Sequence, residues 1–198
     1  SALALQCFTN EYIYDQSDKE TKALVELESV VEQTFLKGAQ PRPQLVLCLA
    51  TYKALYQYKW CDLLTLTASI EDVYTRQIIE PKQEHQLKPK ILTLQKTTNK
   101  VSSKVKEQYE KNPYPRWVNV GLRIDPAPIH KVIKEVRLKL YDQAINDVKA
   151  PNILIAGCGT GQHSITTGSR FKNAKVLAVD LSLSSLAYAK RKTDELGL

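Results

Sequence analysis

Ile153-Leu-Ile-Ala-Gly-Cys-Gly-Thr-Gly-Gln162 and, a little further on, Lys175-Val-Leu-Ala-Val-Asp180 decide the fold of this chain. Ile153 to Ala156 is a short continuous apolar run, as expected for a strand buried on both faces of a parallel sheet. Gly157, Gly159 and Gly161 follow at alternate positions. The polar segment from about Gln162 to Arg170 then reads as a helix, Lys175–Val179 as a second buried strand ending at Asp180, and Ser184–Leu196 as a second helix. The order is β-α-β-α, for which a right-handed crossover is expected.

Ligands of open parallel sheets bind beyond the carboxyl ends of the strands. Both unusual features of this stretch fall at that edge. The glycines permit positive φ and let the backbone approach a ligand with no Cβ in the way. Asp180, 23 residues after Gly157, is placed to accept hydrogen bonds from ribose hydroxyls. A dinucleotide fingerprint, G-x-G-x-x-G, would require glycine where Gln162 stands. The G-x-G-x-G spacing suits a ligand without phosphates, whose amino-acid tail needs only a close backbone approach, and S-adenosylmethionine (SAM) is such a ligand. The rival reading is a glycine turn between strand and helix that holds no ligand.

At these residues the chain resembles the class I SAM-dependent methyltransferases. Ile153 to Gln162 is similar to their first motif, Asp180 to their second-motif acid, and Leu181 to its neighbour on the adenine side. A narrower resemblance is to bacterial methyltransferases often fused to tetratricopeptide repeats. It rests on Gln108-Tyr-Glu-Lys-Asn-Pro-Tyr-Pro-Arg-Trp117, on Gln6-Cys-Phe-Thr-Asn-Glu-Tyr12 and on Glu80-Pro-Lys-Gln-Glu84, and so extends over essentially the whole chain. Lys111 stands where that pattern more usually has Glu. Related bacterial enzymes include protein-lysine methyltransferases that act on outer-membrane proteins. The resemblance implies SAM as cofactor, held by Gly157, Cys158, Gly159, Gly161, Asp180 and Leu181, with Cys158 contributing only its backbone. A complete class I domain has seven strands. The chain is therefore expected to be an excerpt holding the first half of a site, in keeping with its Ser-Ala start and its lack of methionine.

Outward from the glycine loop, the Asn112-Pro-Tyr-Pro-Arg-Trp117 stretch is held extended by its prolines. Tyr109, Tyr114, Arg116 and Trp117 admit two readings. They form a lid, with aromatic faces toward the sulfonium cation and Arg116 paired to the cofactor carboxylate. Or they are a proline-braced linker whose aromatics pack the N-terminal region on the core. His163 follows the glycine loop and either faces the site, caps a helix or meets solvent. His85 and His130 have no supporting context. Ile129–Asn146 reads as one amphipathic helix and Ser102–Glu110 as the first turns of another, while 81–107 holds a strand or linker. Four helices are predicted upstream: Ala2–Tyr14, Glu20–Lys37, Gln44–Tyr58 and Leu63–Ile79, the last stopping before Pro81.

The resulting fold class is α/β. An all-helical N-terminal region (1–80) is followed by a central segment of linker and helices (81–150), then by the start of a Rossmann-like domain (151–198). Composition is that of a globular protein, with 43% apolar and 25% charged residues. No apolar run approaches a membrane span and no signal-peptide pattern opens the chain, so a cytoplasmic location without membrane insertion is expected. Cys7, Cys48, Cys61 and Cys158 neither pair as C-x-x-C nor cluster with histidine, which argues for reduced, mostly buried thiols rather than a zinc site. Charge is unevenly spread: residues 1–80 carry 7 basic and 11 acidic groups (−4), and 81–149 carry 15 and 7 (+8).

The expected activity is methyl transfer to an acceptor, a protein lysine by the family resemblance. The expected partners are SAM, a protein substrate and a second copy of the chain in a homodimer. No residue is singled out as catalytic base. Two alternatives are a SAM-fold interaction module without catalysis and a nucleic-acid methyltransferase, the latter motivated by the basic middle.

Overall fold

Ser17 and Glu20 form the S-x-x-E pair that opens the longest helix. Glu20 N–H donates to the Ser17 hydroxyl, and the Glu20 carboxylate accepts from the Ser17 N–H at 2.9 Å. In the computed structural model, residues 1–94 and 99–198 are described, and the chain divides into units Ser1–Gln86 and Leu87–Leu198. The sequence suggests boundaries at 80/81 and 150/151. The structure instead puts 87–150 in the same unit as the glycine loop.

The first unit comprises α1 (Ala2–Thr9), α2 (Asp18–Leu36), α3 (Pro43–Ala50), α4 (Glu71–Tyr74), a π-turn (Thr75–Ile79) and α5 (Glu80–Leu87), whose last residue lies beyond the boundary. Its core gathers Val31, Val46, Leu49, Leu55, Ile70, Val73 and Ile78. Trp60 stacks on Tyr58 with ring centroids 4.7 Å apart and lies 5.6 Å from Phe35. Three helix predictions need correction here. The first helix ends at Thr9, because Glu11 and Tyr12 adopt positive φ and turn the chain back. The third ends at Ala50, whose carbonyl accepts from the buried Gln77 Nε2 at 3.1 Å rather than from a helical N–H. The helix expected over Leu63–Ile79 begins only at Glu71. It then runs through Pro81, which sits second in α5 directly after the π-turn, where the hydrogen-bond ladder is already interrupted.

In the second unit, α6 (Lys100–Lys111) is capped by Asn99, whose side chain accepts from the Val101 and Ser102 amides. The strand-or-linker reading of 81–107 is replaced by helix up to Leu87 and again from Lys100; its residues 95–98 lie outside the described residues. The helix predicted over Ile129–Asn146 is two pieces, α7 (Ile129–Glu135) and a 3-10 turn (Gln143–Asp147). Arg137 at φ +56° breaks it, with Arg137 N–H bonded to Lys134 O and Leu138 N–H to Ile133 O, the paired bonds of a Schellman stop.

Then follow β1 (Asn152–Ala156), α8 (Gln162–Arg170), β2 (Lys175–Val179) and α9 (Leu183–Glu195). The strands pair in parallel from Asn152↔Lys175 to Ala156↔Val179. The expectation that both strands are buried is corrected: Leu154 and Leu177, partners in the register, are 64% and 63% exposed, whereas Ile155 is buried. Side chains alternate across a sheet, so one face meets the helices and the other is bare among the described residues.

Candidate functional site

The β1–α8 loop leaves the sheet at the carboxyl ends of both strands. Gly157 and Cys158 N–H both donate to Val179 O, at 2.8 and 3.1 Å, which ties the loop to the end of β2. Gly157 (φ +73°), Gly159 (φ +54°) and Gly161 (φ +84°) all lie in the left-handed region. A Cβ at Gly157 or Gly159 would meet nothing within 4 Å, so the main chain there borders open space. Gly161 differs: a Cβ on it would lie 2.5 Å from Ala189 Cβ, so its hydrogen is where α8 and α9 touch. α8 starts at this glycine without a capping side chain, leaving its first amides and the positive end of its dipole available.

Asp180 faces the loop across the strand ends. Its Oδ2 accepts from Gly159 N–H at 2.8 Å and its Oδ1 from Ser182 N–H at 2.9 Å. An ionised carboxylate has about four acceptor positions, so each oxygen keeps one for a further donor. Leu181 beside it is exposed at the surface. Cys158 is buried, and burial above all, then the Asp180 charge, pushes its thiol up to about 11. Its burial favours the neutral thiol over the thiolate.

The Asn112–Trp117 stretch is brought to the loop by specific contacts. Thr160 Oγ1 donates to Pro115 O at 2.8 Å, and Trp117 Nε1 donates to Thr160 O at 3.0 Å. The Tyr188 hydroxyl donates to Trp117 O, and the two rings meet edge to face at 6.0 Å. Trp117 is thus buried against Ile165 and Tyr188, with the Lys192 ammonium 5.1 Å from its ring centroid, as packing would require. Arg116 is also buried, while Tyr114 and Tyr109 are exposed. His163, second in α8, is exposed.

Sequence reading missed Thr160 and a cluster at the start of α9. Glu110 Oε1 accepts from the Leu183 N–H, and Oε2 lies 2.7 Å from the Ser184 hydroxyl and 3.7 Å from Lys88 Nζ. Burial opposes ionisation of Glu110, but hydrogen bonds from Ser184 and Leu183 and the Lys88 charge outweigh it, and its carboxyl titrates below the ordinary value. Glu110 stands inside the quoted Gln108–Trp117 motif, which was the only available signal. Elsewhere in the unit, His130, Lys134, Arg137 and Lys139 border an open groove of about 660 Å³ whose lining also includes Ile133, Leu138 and Leu140.

Residues 153–198 match the family model described as a methyltransferase domain. No curated protein and no solved structure matches the chain. The segment bearing the glycine loop and Asp180 is therefore similar to a methyltransferase domain, and SAM-dependent methyl transfer is the activity that this likeness supports.

Proposed function

We propose that this protein transfers a methyl group from SAM to a protein side chain, a lysine by the resemblance of its motifs. The observation that carries the reading is the pairing of an open-faced glycine loop with Asp180 at the ends of two parallel strands. The residues present fit SAM: positions 157 and 159 offer backbone with nothing in the way, and Asp180 retains acceptor capacity for a ribose diol. The uncapped start of α8 favours the carboxylate of an amino-acid tail. In this reading Gly157, Cys158 and Gly159 line the tail through their main chain. Gly161 sets the close packing beneath the loop, Asp180 takes the ribose and Leu181 borders the adenine. Tyr114 is exposed for a role at the rim, whereas Arg116 is buried.

Bound SAM supplies an electrophilic methyl on a sulfonium. The chain's residues contribute by positioning, which can lower a barrier by about 7–11 kcal/mol where geometry is near attack. Asp180→Ala is expected to weaken SAM binding at least about tenfold by calorimetry; unchanged affinity refutes the assignment. Transfer from radiolabelled SAM into fractionated lysate tests the acceptor, with label in the protein fraction expected.

The basic groove around Lys134, Arg137 and Lys139 favours a second reading, a nucleic-acid acceptor. In that case label enters the nucleic-acid fraction, and binding of an RNA or DNA oligonucleotide falls steeply with salt.

A further inference from the structure

Glu110 belongs to α6, 70 residues before Asp180 in sequence, yet it occupies the helix start that Asp180 also addresses. The first turn of α9 distributes its amides between two carboxylates and a hydroxyl. Ser182 N–H goes to Asp180 Oδ1 at 2.9 Å, and Leu183 N–H to Glu110 Oε1. Ser184 N–H lies 3.3 Å from Glu110 Oε2, and Ser185 N–H donates to the Ser182 hydroxyl at 3.1 Å. Lys88 adds a cation, with its Nζ 2.6 Å from the Ser184 hydroxyl. These are the amides a helix start leaves without intrahelical partners, and the positive end of the helix dipole draws any nearby carboxylate toward them.

Asp180 therefore has a competing attraction. It holds the Gly159 N–H with one oxygen and the Ser182 N–H with the other. If the Leu183 and Ser184 amides were vacant, the helix start would draw Asp180 off the glycine loop. Glu110 fills them, and Lys88 offsets the repulsion that a second carboxylate brings. We propose that Glu110 is a positioning residue: by occupying the first amides of α9 it keeps Asp180 bridged to Gly159, in the orientation that receives a ribose. The second half of this inference rests on the SAM-binding reading above.

The test combines residue-resolved amide exchange with SAM calorimetry on wild type, Glu110→Gln, Asp180→Asn and the double variant. In Glu110→Gln the Gly159 amide, on a different loop from the helix start, is expected to exchange about tenfold faster and SAM to bind about tenfold more weakly. Amides of β1 keep their protection, which shows that the fold persists. On the Asp180→Asn background the Glu110 change adds no further loss of SAM affinity, because the charged carboxylate it positions has gone. Faster exchange at Leu183 and Ser184 with Gly159 unmoved overturns the proposal and makes Glu110 a helix cap only; so does a fully additive double variant. Failure of wild type to bind SAM removes the functional reading, while exchange at Gly159 still decides the coupling. Should Glu110→Gln not fold, Lys88→Met, which leaves the carboxylate in place, gives the same readout with a smaller shift, and an unmoved Gly159 again overturns the proposal.

Discussion

Three glycines that look alike in sequence do different things in the structure. A methyl group at Gly161 would collide with Ala189 Cβ at 2.5 Å and would also sit at φ +84°. Gly161→Ala is expected to destabilise the second unit by about 2–4 kcal/mol, from overpacking plus backbone strain. At Gly159 only the strain applies, since nothing lies within 4 Å of the added carbon. Gly159→Ala should cost about 1–2 kcal/mol of stability while weakening SAM binding, because the methyl group enters the space the ligand would fill. Denaturant melts and calorimetry on the two variants check this; equal stability losses would refute the distinction. Cys158 gives a further expectation. Its thiol titrates near 11, so at neutral pH it is protonated, and its alkylation rate should climb as pH rises toward that value. Exposed Cys48 is expected to label first with iodoacetamide at pH 7.5, with Cys7, Cys61 and Cys158 slow until the protein is unfolded.

Among the elements, helix ends show where sequence is readable. Gly38 and Gly197 end α2 and α9 in the left-handed conformation, each with the paired Schellman bonds, and glycine advertises that stop. Glu11 and Arg137 end α1 and α7 in the same way. Nothing in the sequence marks them, since an L side chain costs about 1–2 kcal/mol in that region. The stop there is imposed by packing, which is why two predicted helices ran too long. Gln77 shows the same override within the π-turn. Fully buried, it accepts from Leu55 N–H at 3.0 Å and donates to Ala4 O and Ala50 O, both at 3.1 Å. Gln77→Ala leaves three buried main-chain groups without that partner and is expected to cost about 2–4 kcal/mol in thermal or denaturant unfolding. Gln77→Glu tests the polar character separately. It keeps the acceptor for Leu55 but loses the donor, and should be at least as damaging because it buries a charge.

At the scale of the whole molecule, the two units differ in how they make a core. The first buries a broad apolar cluster beneath helices and turns, while the second relies on a two-stranded sheet with one covered face and on Trp117 and Tyr188 beside the glycine loop. The sheet's asymmetry predicts unequal responses. Ile155→Ala, on the covered face, should lose about 2–4 kcal/mol, whereas Leu177→Ala, 63% exposed, should stay within about 0.5 kcal/mol. Comparable losses at both positions would mean that the outer face is covered in solution.

The β-α-β-α order, the loop glycines, Asp180 at the end of β2 and the bounds of α8 were written in the sequence, because each depends on local periodicity or on a residue's own φ preference. The same holds for the glycine helix ends. Tertiary structure alone decided which glycine faces open space and which faces Ala189. It also decided that Trp117 packs against Tyr188, that Arg116 is buried while Tyr114 is exposed, and that Glu110 guards the first turn of α9. Those facts rest on partners tens of residues apart, and no local pattern records which distant group will arrive to share a hydrogen bond or fill the space beside a backbone hydrogen.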